Sequence, residues 1–414
     1  MEDRVVITGI GMITSVGDDR ESTWQAVRAG RSGVRLLEGV PAIPDGLLLG
    51  ATVKKSFAED SRVRHLPLAL QAAEEALRDS QIALPWVDKS RFGCAIAANV
   101  GDTPGLSALR NENRPALATQ PWWKQWLPNT TCATVAQQFD LQGPRLSNST
   151  ACASGSIATL TAVRAIRDNQ CDMALAGASQ TINPILAAGF RSMRVLATHE
   201  QPQLACRPFD ANRSGFVMGE GAAMLVLERL DHALARRAPI YAEVAGGHLA
   251  CDAHHVTDLS VDSTTLTRLI RQTLRSAGLA AVDIAYINAH GTGTLQNDVM
   301  ETHAIHEAFG RAADTVCLSS TKSVLGHLLN AAGAVELAIT ALALRDGFAP
   351  PTINLTDPDP ECDLDCVPLV GRRAELEHAL KLSIAFGGHL AAVALRRWND
   401  AGERASILTL RRAA

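Results

Sequence analysis

The chain has 414 residues, 47% of them hydrophobic and 20% charged, with a net charge of −4. That is ordinary globular material, and its mixed charge excludes a protein built on a basic nucleic-acid-binding face. Nine scattered cysteines, an odd number, exclude a disulfide framework and point to a reducing cytoplasm.

In chain order, Met1-Glu2-Asp3-Arg4 runs straight into a strand with no secretory leader. Lys54, Lys55, Arg62 and Arg64 make the densest local basic cluster. Pro121–Trp126 sets Trp122, Trp123 and Trp126 close together, a pattern that suits an interface, a cavity wall or packed core. Arg145–Thr150 reads as the tail of an extended segment. Ser156 to Asp168 then repeats Ile157, Leu160, Ala162, Val163 and Ile166 at helical spacing. Further strands are expected at Ile284–Ile287 and Val316–Leu318, and a helix at Asn330–Leu344. That helix carries Glu336 and is too short to span a bilayer. His303 and His306 lie one turn apart on a solvated helix face. Cys362 and Cys366 form a close pair, but no further ligands lie nearby, so no metal site is expected. There is no glycine-rich phosphate loop or dinucleotide fingerprint.

The chemistry concentrates in three segments. Cys152 lies in Ser149-Thr150-Ala151-Cys152-Ala153-Ser154-Gly155-Ser156, a small-residue turn between the extended segment and the helix. Unpaired N–H groups and the macrodipole at a helix N-terminus favour a thiolate there. The small neighbours let a substrate carbonyl approach closely. A cysteine by itself is more often a small buried hydrophobe. His290 follows the first late strand in Asn288-Ala289-His290-Gly291-Thr292-Gly293-Thr294. His327 follows the second in Lys322-Ser323-Val324-Leu325-Gly326-His327. Both histidines thus fall at carboxyl ends of strands, where open α/β sheets place their sites.

In these segments the chain resembles the β-ketoacyl-acyl-carrier-protein synthases, elongating condensing enzymes of the thiolase superfamily. The likeness runs from Arg4 to at least Leu395. It implies an α/β, thiolase-like fold: two related βαβαβαββ-type halves packed as a five-layered α-β-α-β-α subunit. The halves are expected at 1–239 and 240–414, the second opening on a strand near Pro239–Val244. The resemblance makes Cys152 the nucleophile and His290, His327 and Lys322 its catalytic partners, with Glu336 balancing the lysine. It gives an oxyanion hole to Cys152 and Phe386, and a gate to Phe386-Gly387-Gly388, against which the segment from Asp252 to Thr257 packs. Thr292 and Thr294 are expected to line a phosphopantetheine tunnel, and Lys54, Lys55, Arg62 and Arg64 to guide docking of an acidic carrier protein. Asp298 and Glu301 are expected to hold structure. The implied reaction is acyl transfer to Cys152 followed by decarboxylative Claisen condensation with malonyl carrier protein. No bound cofactor is required, since the phosphopantetheine arrives on the carrier. A homodimer is implied; a heterodimer with a homologous subunit stays open.

Ser383-Ile384-Ala385-Phe386-Gly387-Gly388-His389-Leu390 departs from the family's gate, which has glycine at Ala385 and asparagine at Leu390. If that glycine is left-handed, alanine strains the gate and alters chain selection. Gln296-Asn297-Asp298 resembles type II polyketide ketosynthases, and Asn330 replaces a small residue. These departures favour a specialised pathway over primary fatty-acid synthesis. Rival readings are a non-condensing chain-length-factor-like subunit, against which the intact Cys152, His290, Lys322 and His327 speak, and another thiol acyltransferase on the same fold.

Overall fold

Val5–Thr14, an apolar and β-branched run, is buried along its whole length and forms the central strand β1. The computed structural model describes residues 4–38, 48–57, 64–98 and 127–399; Arg62 and the Trp122–Trp126 cluster lie outside them. Nine further strands join β1: β2 (Phe92–Ala97), β3 (Arg145–Leu146), β4 (Met173–Gln180), β5 (Gly221–Arg229), β6 (Ala242–Cys251), β7 (Tyr286–Asn288), β8 (Cys317–Ser319), β9 (His378–Ala385) and β10 (His389–Arg397). The strand foreseen near Pro239–Val244 is β6.

Strand order is β8-β7-β9-β10-β6-β1-β5-β4-β2-β3. The first five strands in sequence run β1-β5-β4-β2-β3 and the last five run β6-β10-β9-β7-β8, so both halves follow one order. Their directions also agree. The first strand pairs antiparallel with the fifth, the fifth antiparallel with the fourth, and the rest are parallel. Only Val6↔Glu243 and Ile7↔Ala242 join the halves along the sheet. This is the duplication that the resemblance implied.

The helices that matter are α1 (His65–Asp79), α2 (Thr130–Phe139), α3 (Ser154–Arg167), α4 (Pro184–Ser192), α5 (Thr264–Ala277), α6 (Leu295–Phe309) and α7 (Ala332–Asp346). Helix α7 is buried from Ala332 to Leu344, as a helix that is apolar all round must be. It and α3 both touch strands of both halves and form the middle layer. One core surrounds this pair. A second lies under α1 and α2, and a third under α5 and α6, giving five layers. A Cβ on Gly155 would come within 2.5 Å of Ala334 N, and one on Gly333 within 2.5 Å of Ser156 N. The central helices therefore cross backbone to backbone at their N-termini, bringing the turn before α3 against the turn before α7.

The expected helices differ by two residues at their starts. A 3-10 turn at Leu329–Ala331 precedes α7. The extended tail before Cys152 shrinks to β3, an edge strand with exposed residues, because the chain must turn back at Thr150 to enter α3. Among the described residues no helix is long and apolar enough to cross a membrane.

Candidate active site

Cys152 and His327 occupy matching places, each in the turn beyond its half's third strand, and each turn carries a left-handed non-glycine residue. Ala151 has φ +46° just before Cys152, and Leu329 has φ +46° two residues after His327. Such a conformation costs roughly 1–2 kcal/mol per residue, and it persists where the surroundings fix it. Ser154 fixes the first turn: its hydroxyl accepts from Thr150 N at 2.8 Å and donates to Ala151 O at 2.7 Å. The second turn sets a tautomer. Leu329 N–H donates to His327 Nδ1 at 3.2 Å, so the proton of the neutral ring lies on Nε2. His327 Nε2 lies 3.1 Å from Cys152 Sγ and donates to it.

His290 follows β7, and its ring centroid is 5.4 Å from that of His327 at an interplanar angle of 82°. Its turn hangs on two buried carboxylates of α6. Glu301 accepts from His290 N at 2.6 Å and Gly291 N at 2.7 Å. Asp298 accepts from Thr292 N and Phe209 N, joining the turn to the loop at Phe209. Both therefore hold structure, as expected. Burial pushes Glu301 up to about 7 against the pull of those two N–H groups.

Behind the histidines lies buried charge. Lys322 Nζ donates to His290 O and pairs with Glu336 Oε1 at 2.6 Å. Lys381 Nζ, also fully buried, pairs with Glu336 Oε2 at 2.7 Å. Burial, with both lysines, holds His290 and His327 well below the usual imidazole range, so both are neutral N–H donors. Lys322 faces away from the cavity that Cys152 and the histidines line. It stands behind His290, bonded to the backbone of the catalytic turn and to Glu336.

The cavity, of about 420 Å³, is lined by Cys152, His290, His327, Thr292, Thr294 and Phe386, with Phe190, Met193, Val195, Phe216 and Leu329 adding an apolar wall. Thr292 and Thr294 share a hydroxyl hydrogen bond of 2.9 Å in it. The rings of Phe190 and Phe216 stand 5.2 Å apart, and Phe216 meets His327 edge-on at 5.2 Å. Sequence reading missed Phe190 and gave Phe216 no role, since nothing in the nearby residues shows that the two rings meet.

The gate differs from expectation. Ala385 has φ −141° and pairs with His389 as ordinary strand, so alanine there is unstrained. Gly387 and Gly388 take the left-handed turn, with φ +80° and +74°. As expected, the segment after Asp252 packs on them: Gly387 N donates to Val256 O at 2.7 Å, and Asp252 N donates to Gly388 O at 3.1 Å. A Cβ on Gly388 would sit 2.2 Å from Asp252 Oδ1. Gly388→Ala is therefore expected to destabilise by roughly 1–2 kcal/mol and to change chain selection, whereas Ala385→Gly should leave it unmoved. Acylation rates across a chain-length series check both.

Burial works against the thiolate that the helix N-terminus favours. Cys152 is 9% exposed, and burial pushes its thiol up to about 12, with Lys322 pulling it down. The thiolate fraction is then small and grows with pH, so iodoacetamide capture of Cys152 should quicken about tenfold per pH unit between pH 6 and 9. A plateau in that range would mean a depressed thiol.

Of the basic cluster, Lys54 and Lys55 are exposed. Arg64 is committed to the buried Glu220 at 2.6 Å and to Val53 O, so it is a structural cation first. His306 pairs with Asp363 at 2.7 Å on the outer face of α6, and Cys362 and Cys366 lie in the core beneath it. Among the described residues no group of three or more His, Cys, Asp or Glu is arranged to hold a metal.

The family model for the beta-ketoacyl synthase N-terminal domain matches residues 2–59 and 51–233, and that for the C-terminal domain matches 241–356. A 3-oxoacyl-[acyl-carrier-protein] synthase 2 from Synechocystis sp. is 37% identical over 95% of this chain and 98% of its own. The actinorhodin polyketide putative beta-ketoacyl synthase 1 from Streptomyces coelicolor is 37% identical over 98% of this chain and 91% of its own. Among solved structures, a type II polyketide ketosynthase in complex with its acyl-carrier protein superposes with a TM-score of 0.89 at 33% identity, covering 96% of this chain and all of that one. A beta-ketoacyl synthase from Burkholderia phymatum gives 0.88, also at 33% identity and with the same two coverages. The chain belongs to the beta-ketoacyl synthase family.

Proposed function

We propose that the protein is a 3-oxoacyl-acyl-carrier-protein synthase that lengthens an acyl or polyketide chain by two carbons. The observation that carries this reading is the pair of neutral imidazoles beside one cysteine: His327 Nε2–H on Sγ at 3.1 Å, and His290 against His327.

In the first half-reaction Cys152 Sγ attacks the thioester carbonyl of the acyl carrier. A C–S bond forms, the carrier's C–S bond breaks, and the proton of the Cys152 thiol passes to the departing pantetheine thiolate. The N–H of His327 supports the sulfur as it gains charge. The N–H groups of Cys152 and Phe386 take the tetrahedral oxyanion, each such donor worth about 3 kcal/mol. In the second half-reaction malonyl carrier protein loses carbon dioxide, and the electron pair of the broken C–C bond becomes a thioester enolate. The N–H groups of His290 and His327 hold the enolate oxygen. Charged imidazolium in the resting state would cost solvation in this buried place, and neutral rings avoid that cost. The enolate carbon attacks the Cys152 thioester, collapse expels the Cys152 thiolate, and a proton taken up from solvent restores the thiol.

Thr292 and Thr294 offer hydroxyls to the pantetheine arm, and Lys54 and Lys55 offer charge to an acidic carrier. The relative solved with its acyl-carrier protein supports that partner. The exposed edge strand β3 supports pairing with a second copy, or with a homologous subunit. Nine free cysteines fit a reducing cytoplasm. Intact Cys152 and both histidines favour condensation over a chain-length-factor role. Incubation with acyl carrier proteins of increasing length, followed by malonyl carrier protein, tests the reading by intact mass. An adduct on Cys152 that discharges as a chain two carbons longer supports it, and no adduct from any donor overturns it.

A further inference from the structure

Lys381 is a lysine inside an apolar strand. Alternation along β9 puts Leu380, Leu382 and Ile384 on the outer face, where they join the core under α5 and α6. Ala379, Lys381, Ser383 and Ala385 face the central helices instead. Ala379 packs in the central core, Ser383 Oγ meets Ser156 Oγ of α3 at 2.9 Å, and Ala385 joins the cluster around Cys152. Lys381 therefore points at α7, where Glu336 meets it at 2.7 Å, and its ammonium also donates to Leu382 O.

A lone Lys322–Glu336 pair would be neutral, and its field at the histidines would largely cancel. Lys381 changes that sum. Burial pulls Lys381 down to about 8, and below that pH two ammoniums share one carboxylate, so the triad carries a net positive charge. Lys322 hands that charge to the catalytic turn through His290 O. Glu336 meets an ammonium at each oxygen. The charged and titratable groups around the His290 turn are Lys322, Glu336 on α7, Lys381 on β9, Glu301 and Asp298 on α6, and His327, with Tyr286 on β7 and Cys152 ahead of α3 beyond them. Glu301 and Asp298 are engaged by backbone N–H groups of the His290 turn, and Asp298 also faces Arg213. Lys322 touches the His290 turn directly, whereas Lys381 reaches it through Glu336.

We propose that Lys381 is a positioning residue for the decarboxylation half-reaction: it turns the Lys322–Glu336 pair into a positively charged triad that keeps His290 and His327 neutral and favours the forming enolate. This inference rests on the condensing reading of the site. The sign follows from Coulomb's law, since a nearby cation disfavours imidazolium. Burial and both lysines already act in that direction on the two rings.

The test follows malonyl carrier-protein decarboxylation by carbon dioxide release from pH 4 to 8 in the wild type, Lys381→Met, Lys381→Gln and Lys381→Arg. Loss of the cation raises both imidazole pKa values. The acid limb of the two neutral variants should therefore move up by about one pH unit, with roughly tenfold slower decarboxylation at a pH on that limb, while Lys381→Arg keeps the wild-type limb. A purely structural lysine would lower the rate at every pH without moving the limb. An unmoved limb in a neutral variant with a wild-type unfolding temperature overturns the proposal. If neither neutral variant folds, the wild type decides. With histidine ring carbons labelled, His290 and His327 should show no titration near the ordinary value of about 6.5, and a normal titration of both overturns the proposal. Failure of the wild type to release carbon dioxide overturns the condensing reading instead, and the ring titration separates the two failures.

Discussion

Cys152→Ala should abolish the acyl adduct and slow condensation by on the order of 10⁴-fold or more, while malonyl decarboxylation continues. The split follows from geometry. Sγ is the only atom of the site that forms a bond to the acyl chain, so nothing replaces it. The enolate, in contrast, is held by His290 and His327, whose rings are placed by other residues. Leu329 N–H orients His327, and Glu301 with Lys322 orients the His290 backbone. Removing one thiol leaves those bonds in place. Carbon dioxide release and intact mass, measured on the same samples, check both halves. Loss of both activities in a folded variant would contradict the division of labour.

His290→Ala should give the reverse pattern. Cys152 still accepts an acyl group, because His327 Nε2 and not His290 faces its sulfur at 3.1 Å. Decarboxylation should fall about 10²–10³-fold, the usual loss for one preorganised donor to a developing oxyanion. Burial of His290 makes the change severe, since an N–H is worth far more in a site that excludes water. The acyl-enzyme should then accumulate when both carriers are present. Its absence, with elongated product still forming, would remove His290 from the enolate site.

The sequence made the reacting groups legible because their signals are local. Cys152, His290 and His327 each lie in a short small-residue turn next to a strand, and strand ends can be read from nearby residues. The order of the strands cannot, because β1 pairs with β5 and β6, more than two hundred residues away, and only the folded chain reveals that both halves repeat one order. Protonation states are hidden for the same reason. The turn before α3 suggests a thiolate, but the burial that pushes Cys152 up comes from distant walls such as Phe216 and Leu329. Ala385 misleads in the other direction: a missing glycine suggests strain, yet the backbone there is plain strand. Lys381 looks like a surface lysine until alternation along β9 is anchored by Ser383 on Ser156.

The central claim is that one cysteine and two neutral histidines join an acyl group to a decarboxylated malonyl unit. A single turnover tests it most directly: wild-type enzyme first acylated on Cys152, then mixed with malonyl carrier protein, with adduct, carbon dioxide and product followed together. The account predicts that the Cys152 adduct disappears as carbon dioxide and a carrier-bound 3-oxoacyl chain two carbons longer appear in equal amounts. Carbon dioxide release that leaves the adduct in place, or loss of the adduct to a free acid, would contradict it.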